Sequence, residues 1–170
     1  MSPLHMVCGM QQSMSLPEAL HAFGLLGRAL PRFVTSVSGS GDTLEIVADP
    51  RAVRNLPAAL KLATRVVPAV HARLRVVSFA DGVATLAVDA SAGGLPAHKL
   101  LSLASSRIDA AVTARRLPYG SVRVLPGAQI ALDVQRLLAE KHPGYRVRQM
   151  AFYEGAVWLD VEPTAAVAQA

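Results

Sequence analysis

Residues 151–162 read AFYEGAVWLDVE, and residues 78–89 read SFADGVATLAVD. With Gly155 set over Gly82, the apolar positions of the two stretches largely coincide. Each has an acidic residue followed by glycine between runs of alternating apolar residues. That is a hairpin signal, because the favoured tight turn needs positive φ at both central positions. A turn at Asp81-Gly82 predicts Phe79 opposite Ala84, Val77 opposite Leu86 and Arg75 opposite Val88. This face is mostly apolar. The other, with Ser78, Thr85 and Asp89 beside Val76 and Val83, is mixed. In the later pair, 145–162, Met150, Phe152, Val157, Leu159 and Val161 share one face. Trp158 stands on the opposite face with Gln149 and Asp160, as strand alternation requires.

A third hairpin is read at 33–49, FVTSVSGSGDTLEIVAD, with its turn at Gly39-Ser40-Gly41 and with Val37, Leu44 and Ile46 alternating against polar neighbours. The stretch 120–133 reads as two short strands about Pro126-Gly127. Helices fill the gaps. Ser15-Leu16-Pro17-Glu18 is a capping box with proline in the first turn, predicting a helix to about Leu30. Val53, Leu56, Leu60, Ala63, Val67, Val70 and Leu74 follow helical spacing, with Pro68 kinking or ending the pattern. A third helix is expected over about 96–115. Asp133 caps a short fourth one to about Lys141, with Leu132 and Leu137 as its hydrophobic staple.

The order gives no βαβ alternation with single strands, which argues against a doubly wound parallel sheet. The reading is an α+β fold: a largely antiparallel sheet built from three β-hairpins and covered by about four helices. Residues 1–14 are expected as a flexible N-terminal tail, 15–162 as a single domain and 163–170 as a C-terminal tail. A chain of 170 residues can bury a core of its own.

Hydrophobic residues make up 52% of the chain and charged ones 17%, against about 25% charged in an average domain. Apolar surface must therefore be hidden in a core, a dimer interface or a ligand groove. No apolar run reaches the ~18 residues of a membrane span. The N-terminal stretch lacks the basic start and apolar run of a secretory signal, so a cytoplasmic location is expected. The one cysteine, Cys8, gives no internal disulfide.

Catalytic chemistry is not visible. His5, His21, His71, His98 and His142 are scattered without ligand spacing, so no metal site is expected, and no cofactor. Gly39-Ser40-Gly41 lacks the third glycine and the following helix of a dinucleotide fingerprint. Asp81, Asp89, Asp160 and Glu162 fall at hairpin turns or ends, where carboxylates serve the turn. The net charge of +5 comes mainly from arginine. Arg107, Arg115, Arg116, Arg123, Arg146 and Arg148 form a candidate stripe for an anionic partner, but exposed aromatics for base stacking are few.

The segment 96–162 carries a further pattern: PAHKLLSLASSRIDAAV, then SVRVLPGAQIALDVQRLL, then VRQMAFYEGAVWLDVE. Helix, strand, an IxLDxxxLL phrase and a strand pair about an acidic-Gly turn resemble bacterial members of the tubular lipid-binding (TULIP-like) superfamily. The resemblance implies a curved antiparallel sheet wrapped on a helix, with an apolar groove for lipid. Residues expected to line such a groove here are Phe79, Leu86, Leu101, Ile108, Met150, Phe152 and Leu159, with Arg75 and Arg148 as anion contacts at its mouth.

The function expected from these readings is a non-enzymatic binding protein for an apolar or amphipathic, lipid-like ligand held between sheet and helices. The alternative is a small dimeric interaction module that contacts protein or nucleic acid through an arginine-bearing face. An enzyme with a dispersed site ranks third. The expected partners are a lipid or other apolar small molecule and a second copy of the chain, with nucleic acid behind them.

Overall fold

The computed structural model describes residues 9–165, except 26, 28, 57, 59, 60, 63, 64, 66–68 and 93. In chain order the elements are β1 (Met10–Ser15), α1 (Leu16–Ala22), β2 (Val34–Ser40), β3 (Thr43–Ala48), a single 3-10 turn (Pro50–Ala52), β4 (Val70–Ala80), β5 (Val83–Ala92), β6 (Leu95–Pro96), α2 (Ala97–Ala114), β7 (Val122–Leu125), β8 (Gln129–Asp133), α3 (Val134–Lys141), β9 (Tyr145–Tyr153) and β10 (Ala156–Pro163). The fold is mixed α+β, and every strand pairing is antiparallel.

The three hairpins do not join one layer. Strands order as β2-β3-β4-β5-β8-β7 in a seven-stranded sheet, with β6 on β5, and as β1-β10-β9 in a separate three-stranded sheet. β9 lies across β3 and β4, so the second sheet packs face to face on the first. The reason is coverage. The apolar sides of the hairpins need a cover, and two apolar sheet faces bury one another. Val147, Met150, Phe152, Val157, Leu159 and Val161 meet Leu44, Ala84, Leu86 and Leu132 in one core. Each large apolar side chain buried there contributes about 2 kcal/mol. α1 closes this core from the three-stranded side, and α3 packs on β9 and β5.

The expected tail at 1–14 is corrected in part: Met10–Ser15 is a strand running the length of β10, from Met10 opposite Val161 to Ser15 opposite Ala156. Residues 1–8 lie outside the described residues. At the other end Pro163 still belongs to β10, and Thr164 donates its backbone N–H to the Gly144 carbonyl at 2.8 Å. Residues 166–170 lie outside the described residues.

α1 begins as read, with the capping box formed at Ser15 and Glu18. It stops at Ala22, not Leu30, because Gly24 (φ +71°) completes a Schellman turn in which Leu25 N–H reaches the Leu20 carbonyl and Gly24 N–H the His21 carbonyl. The helical pattern carried through Val70 and Leu74 is also corrected. Both residues belong to β4, where apolar residues alternate with polar ones from Val70 to Val76. Ala58, Lys61, Leu62 and Arg65 are helical, and the rest of 57–68 lies outside the described residues. The β2–β3 turn is Gly41-Asp42, one residue later than read, since Ser40 pairs with Thr43.

The β4–β5 turn falls at Asp81-Gly82 (φ +51° and +79°), and Phe79 faces Ala84 as expected. Beyond that the register departs from expectation. A bulge leaves Val77 unpaired, so Val76 faces Leu86 and Leu74 faces Val88, while Arg75 lies opposite Ala87. One extra residue inverts the alternation. It sends Val77 outward and brings Leu74 and Val76 onto the core side beside Phe79. In the β9–β10 pair the faces are as read: Met150, Phe152, Val157, Leu159 and Val161 are buried, and Trp158 is not.

Asp133 caps α3, accepting from the Arg136 N–H at 3.0 Å, and Leu132 and Leu137 are both buried. Gln135 then ties three elements together. Its N–H reaches the Gly82 carbonyl at 3.1 Å. Its side chain donates to the Tyr145 carbonyl at 3.0 Å and accepts from the Val147 N–H at 2.7 Å. The side-chain amide thus occupies the edge of β9 where a further strand would otherwise pair.

Candidate functional site

The seven residues expected to line a groove divide into two groups. Leu86, Met150, Phe152 and Leu159 are sealed, with 8%, 4%, 5% and 3% of their surface exposed. They are core, held between the two sheets. Phe79 and Ile108 pack half-buried against that core, and Leu101 is half-buried on α2 outside it. The two arginines do not share a mouth. Arg75 is exposed on the outer face of β4, opposite the side that carries Leu74 and Val76. Arg148 is the extra residue of the bulge in β9, and its Nη1 lies 3.7 Å from Glu162 Oε2.

Burial along the inner face of the seven-stranded sheet is uneven. Near the Asp81-Gly82 tip, beneath α3 and the three-stranded sheet, Ala84, Leu86 and Leu132 are buried, and Leu44 is buried in the next row, opposite Leu74. Farther along the same strands, the row Val37, Ile46, Ala72 and Ala90 is half-buried, as are Leu74, Val88 and Val70. α2 runs across β5, β6 and β7. Its fully buried residue is Val112, in its last turn, whereas Leu100, Leu101, Leu103 and Ala104 in its first half stay half-buried. The near half of the sheet is therefore packed shut, and farther out a band of half-buried apolar side chains lies between it and the sealed Ala92 at the end of β5. Periodicity locates these apolar residues in the sequence. How completely they are covered depends on which sheet the β9–β10 hairpin joins, and periodicity does not carry that.

Three further surfaces are shaped. A cleft of about 840 Å³ lies between the β4–β5 tip and β9, lined by Asp81, Gly82, Gln135, Arg146, Arg148 and Glu162 among others. A depression of about 360 Å³ on the outer face of the three-stranded sheet is lined by Gln11, Gln149, Ala151, Trp158 and Asp160, with Tyr153 edge-on to Trp158 at a centroid distance of 6.3 Å. An apolar cavity of about 260 Å³ sits between β1, α1 and α3, lined by Met10, Met14, Leu138, Tyr145 and Val161.

Electrostatic perturbation follows local pairing. The Ser15 backbone N–H, with its hydroxyl second, holds the Glu18 carboxyl below the usual carboxylate range. The Arg51 guanidinium, 2.9 Å from Asp49, lowers that carboxyl and is itself raised by it. Both groups serve helix or turn starts. Among the described residues, no three His, Cys, Asp or Glu side chains converge as a metal site would require. No helix among them is long and apolar enough to cross a membrane.

Comparison with protein-family models, with curated proteins and with solved structures finds no match to this chain.

Proposed function

We propose that the protein is a non-enzymatic binding protein for an apolar or amphipathic, lipid-like ligand, taken up on the far half of the seven-stranded sheet's inner face, beside α2, which packs on β5, β6 and β7. One observation carries the reading: Ile46, Ala72 and Val88 on the inner face of the sheet, and Leu100 and Leu101 in the first half of α2, are apolar and remain half-buried. A contiguous apolar patch left incompletely covered in a folded chain marks a binding surface. The packed near half supplies the rigid frame. The ligand therefore sits farther along the strands than Met150, Phe152 and Leu159, which are core.

The test is uptake of a fluorescent fatty acid, paired with native mass spectrometry of the purified protein. Ala72→Phe adds bulk to the half-buried far half and leaves every sealed core residue in place. It should lower fatty-acid affinity at least tenfold with an unchanged melting temperature. A wild-type protein that neither carries nor takes up an acyl ligand refutes the reading.

A second reading, a dimeric interaction module, is favoured by the exposed aromatic pair Trp158 and Tyr153 on the outer face of the three-stranded sheet. Light scattering tests it: a dimer that Trp158→Ser converts to monomer supports it, and a wild-type monomer removes it.

A further inference from the structure

α2 ends in a Schellman turn like that of α1. Leu117 N–H reaches the Val112 carbonyl and Arg116 N–H the Thr113 carbonyl, each at 3.0 Å. Leu117 and Val112 are both buried, as the motif's hydrophobic contact requires. The difference lies at the left-handed position. In α1 it holds Gly24, and in α2 it holds Arg116, at φ +54°. A side chain there is disfavoured, and glycine is the residue that relieves it. Arginine stands at a position where the backbone favours glycine, and such strain concentrates at functional places.

The surroundings give that arginine a context. Arg115 precedes it, and the loop runs on through Tyr119, which is 93% exposed. Arg123 Cδ lies 4.0 Å from where a Cβ on Gly120 would stand, and Arg136 Nη1 donates to the Tyr119 carbonyl at 3.2 Å. Asp133 is engaged by Arg136 at 3.6 Å. Among the described residues, Arg115, Arg116 and Arg123 have no ion-pair partner. Asp109 lies two turns back along α2, and Ala110, Ala111 and Ala114 are exposed on its last turns. The corner thus combines three unpaired guanidinium groups, small apolar side chains and one protruding tyrosine.

We propose that this corner is a docking surface for an anionic lipid bilayer, with the arginines against headgroup phosphates and the Tyr119 ring at headgroup depth. Charge complementarity selects an anionic partner. The lone protruding aromatic selects a bilayer over single-stranded nucleic acid, whose readers stack successive bases on several aromatics along a groove. Tyrosine suits the depth, having an apolar ring and a polar tip. The inference is independent of the apolar ligand, since it uses none of the residues of that surface.

The experiment is vesicle flotation of the full chain. One set of vesicles is neutral phosphatidylcholine, and in the other about a third of the lipid is anionic phosphatidylglycerol. Wild type should float with the anionic vesicles at low salt and be released at high salt. Arg115→Gln and Arg123→Gln should each weaken binding about fivefold. Arg116→Gly should weaken it similarly while keeping or raising the melting temperature, a combination that a purely structural role does not produce. Equal binding to neutral and anionic vesicles, or no loss in the arginine variants, overturns the proposal. So does salt-sensitive binding of a labelled single-stranded oligonucleotide by a protein that ignores both vesicles. Ala72→Phe should float as wild type does, so loss of acyl uptake and loss of docking are read separately.

Discussion

The β4–β5 and β9–β10 hairpins share one sequence phrase and differ in what meets their tips. Both turns hold two successive residues at positive φ, Asp81 and Gly82 in one and Glu154 and Gly155 in the other. Both pairs carry a bulge. The first hairpin sits inside the seven-stranded sheet, and its tip abuts α3. A Cβ on Gly82 would overlap the Cβ of Gln135. The second belongs to the three-stranded sheet, and its tip abuts another turn. Glu154 N–H donates to the Gly41 carbonyl at 2.9 Å, and Gly41 N–H donates to Glu154 Oε1 at 3.0 Å. Gly39 and Gly155 meet backbone to backbone there, so that a Cβ on Gly39 would overlap Gly155. The same phrase therefore specifies a hairpin with a docking tip, and the partner decides which layer the hairpin joins.

The contrast can be broken most strongly at Gly39. Its φ is not in the left-handed region, so Gly39→Ala acts through space alone: the collision with Gly155, and a lesser one with the Thr43 carbonyl of its own hairpin. It should cost about 3 kcal/mol in urea unfolding, at the upper end of overpacking. A cost near zero would mean that the two turns do not need to touch. Gln135→Leu tests the other tip. It leaves the Val147 N–H and the Tyr145 carbonyl without partners and should cost about 2 kcal/mol. Amide exchange should accelerate at Val147 while the β1–β10 ladder keeps its protection. A finer comparison uses asparagine, which tolerates positive φ. Asp81→Asn should stabilise by about 0.5 kcal/mol. Glu154→Asn should not, because it gives up the hydrogen bond to Gly41.

The smallest effect concerns pH, on the side of the three-stranded sheet, where β1 leads into α1. The folded state depresses the Glu18 carboxyl through the Ser15 backbone. Its contribution is complete above the ordinary carboxylate range and is lost as pH falls through the depressed folded value. Fraying of α1 relative to α3, followed by amide exchange, should grow over that window in wild type and be flat in Glu18→Gln.

Much of this architecture is local and was legible. The capping box at Ser15, the Asp133 cap, the two acidic-Gly turns and the buried face of 145–162 each depend on residues within a few positions of one another. The parts that were not legible are long-range or depend on one residue. The bulge at Val77 inverts a face, yet valine fits either side of a strand. Nothing in MQQSMS marks it as the partner of a strand near residue 160. The sealed fate of Met150, Phe152 and Leu159, against the half-open fate of Leu101 and Phe79, follows from sheet-on-sheet packing that no periodicity encodes. The arginine stripe was visible as composition, but the left-handed backbone at Arg116 was not.

The pairing of β1 with β10 has a kinetic consequence. Met10 lies opposite Val161, about 150 residues along the chain, and β10 is also the strand that orders the inner face of β9. The three-stranded layer therefore closes over the longest sequence separation of any strand pairing among the described residues, a slow step. Until residue 161 has been made, MQQSMS is an unpaired strand, and the apolar faces of β3 and β4 lack the sheet that covers them. During synthesis that interval is when the chain is most prone to associate with other copies of itself.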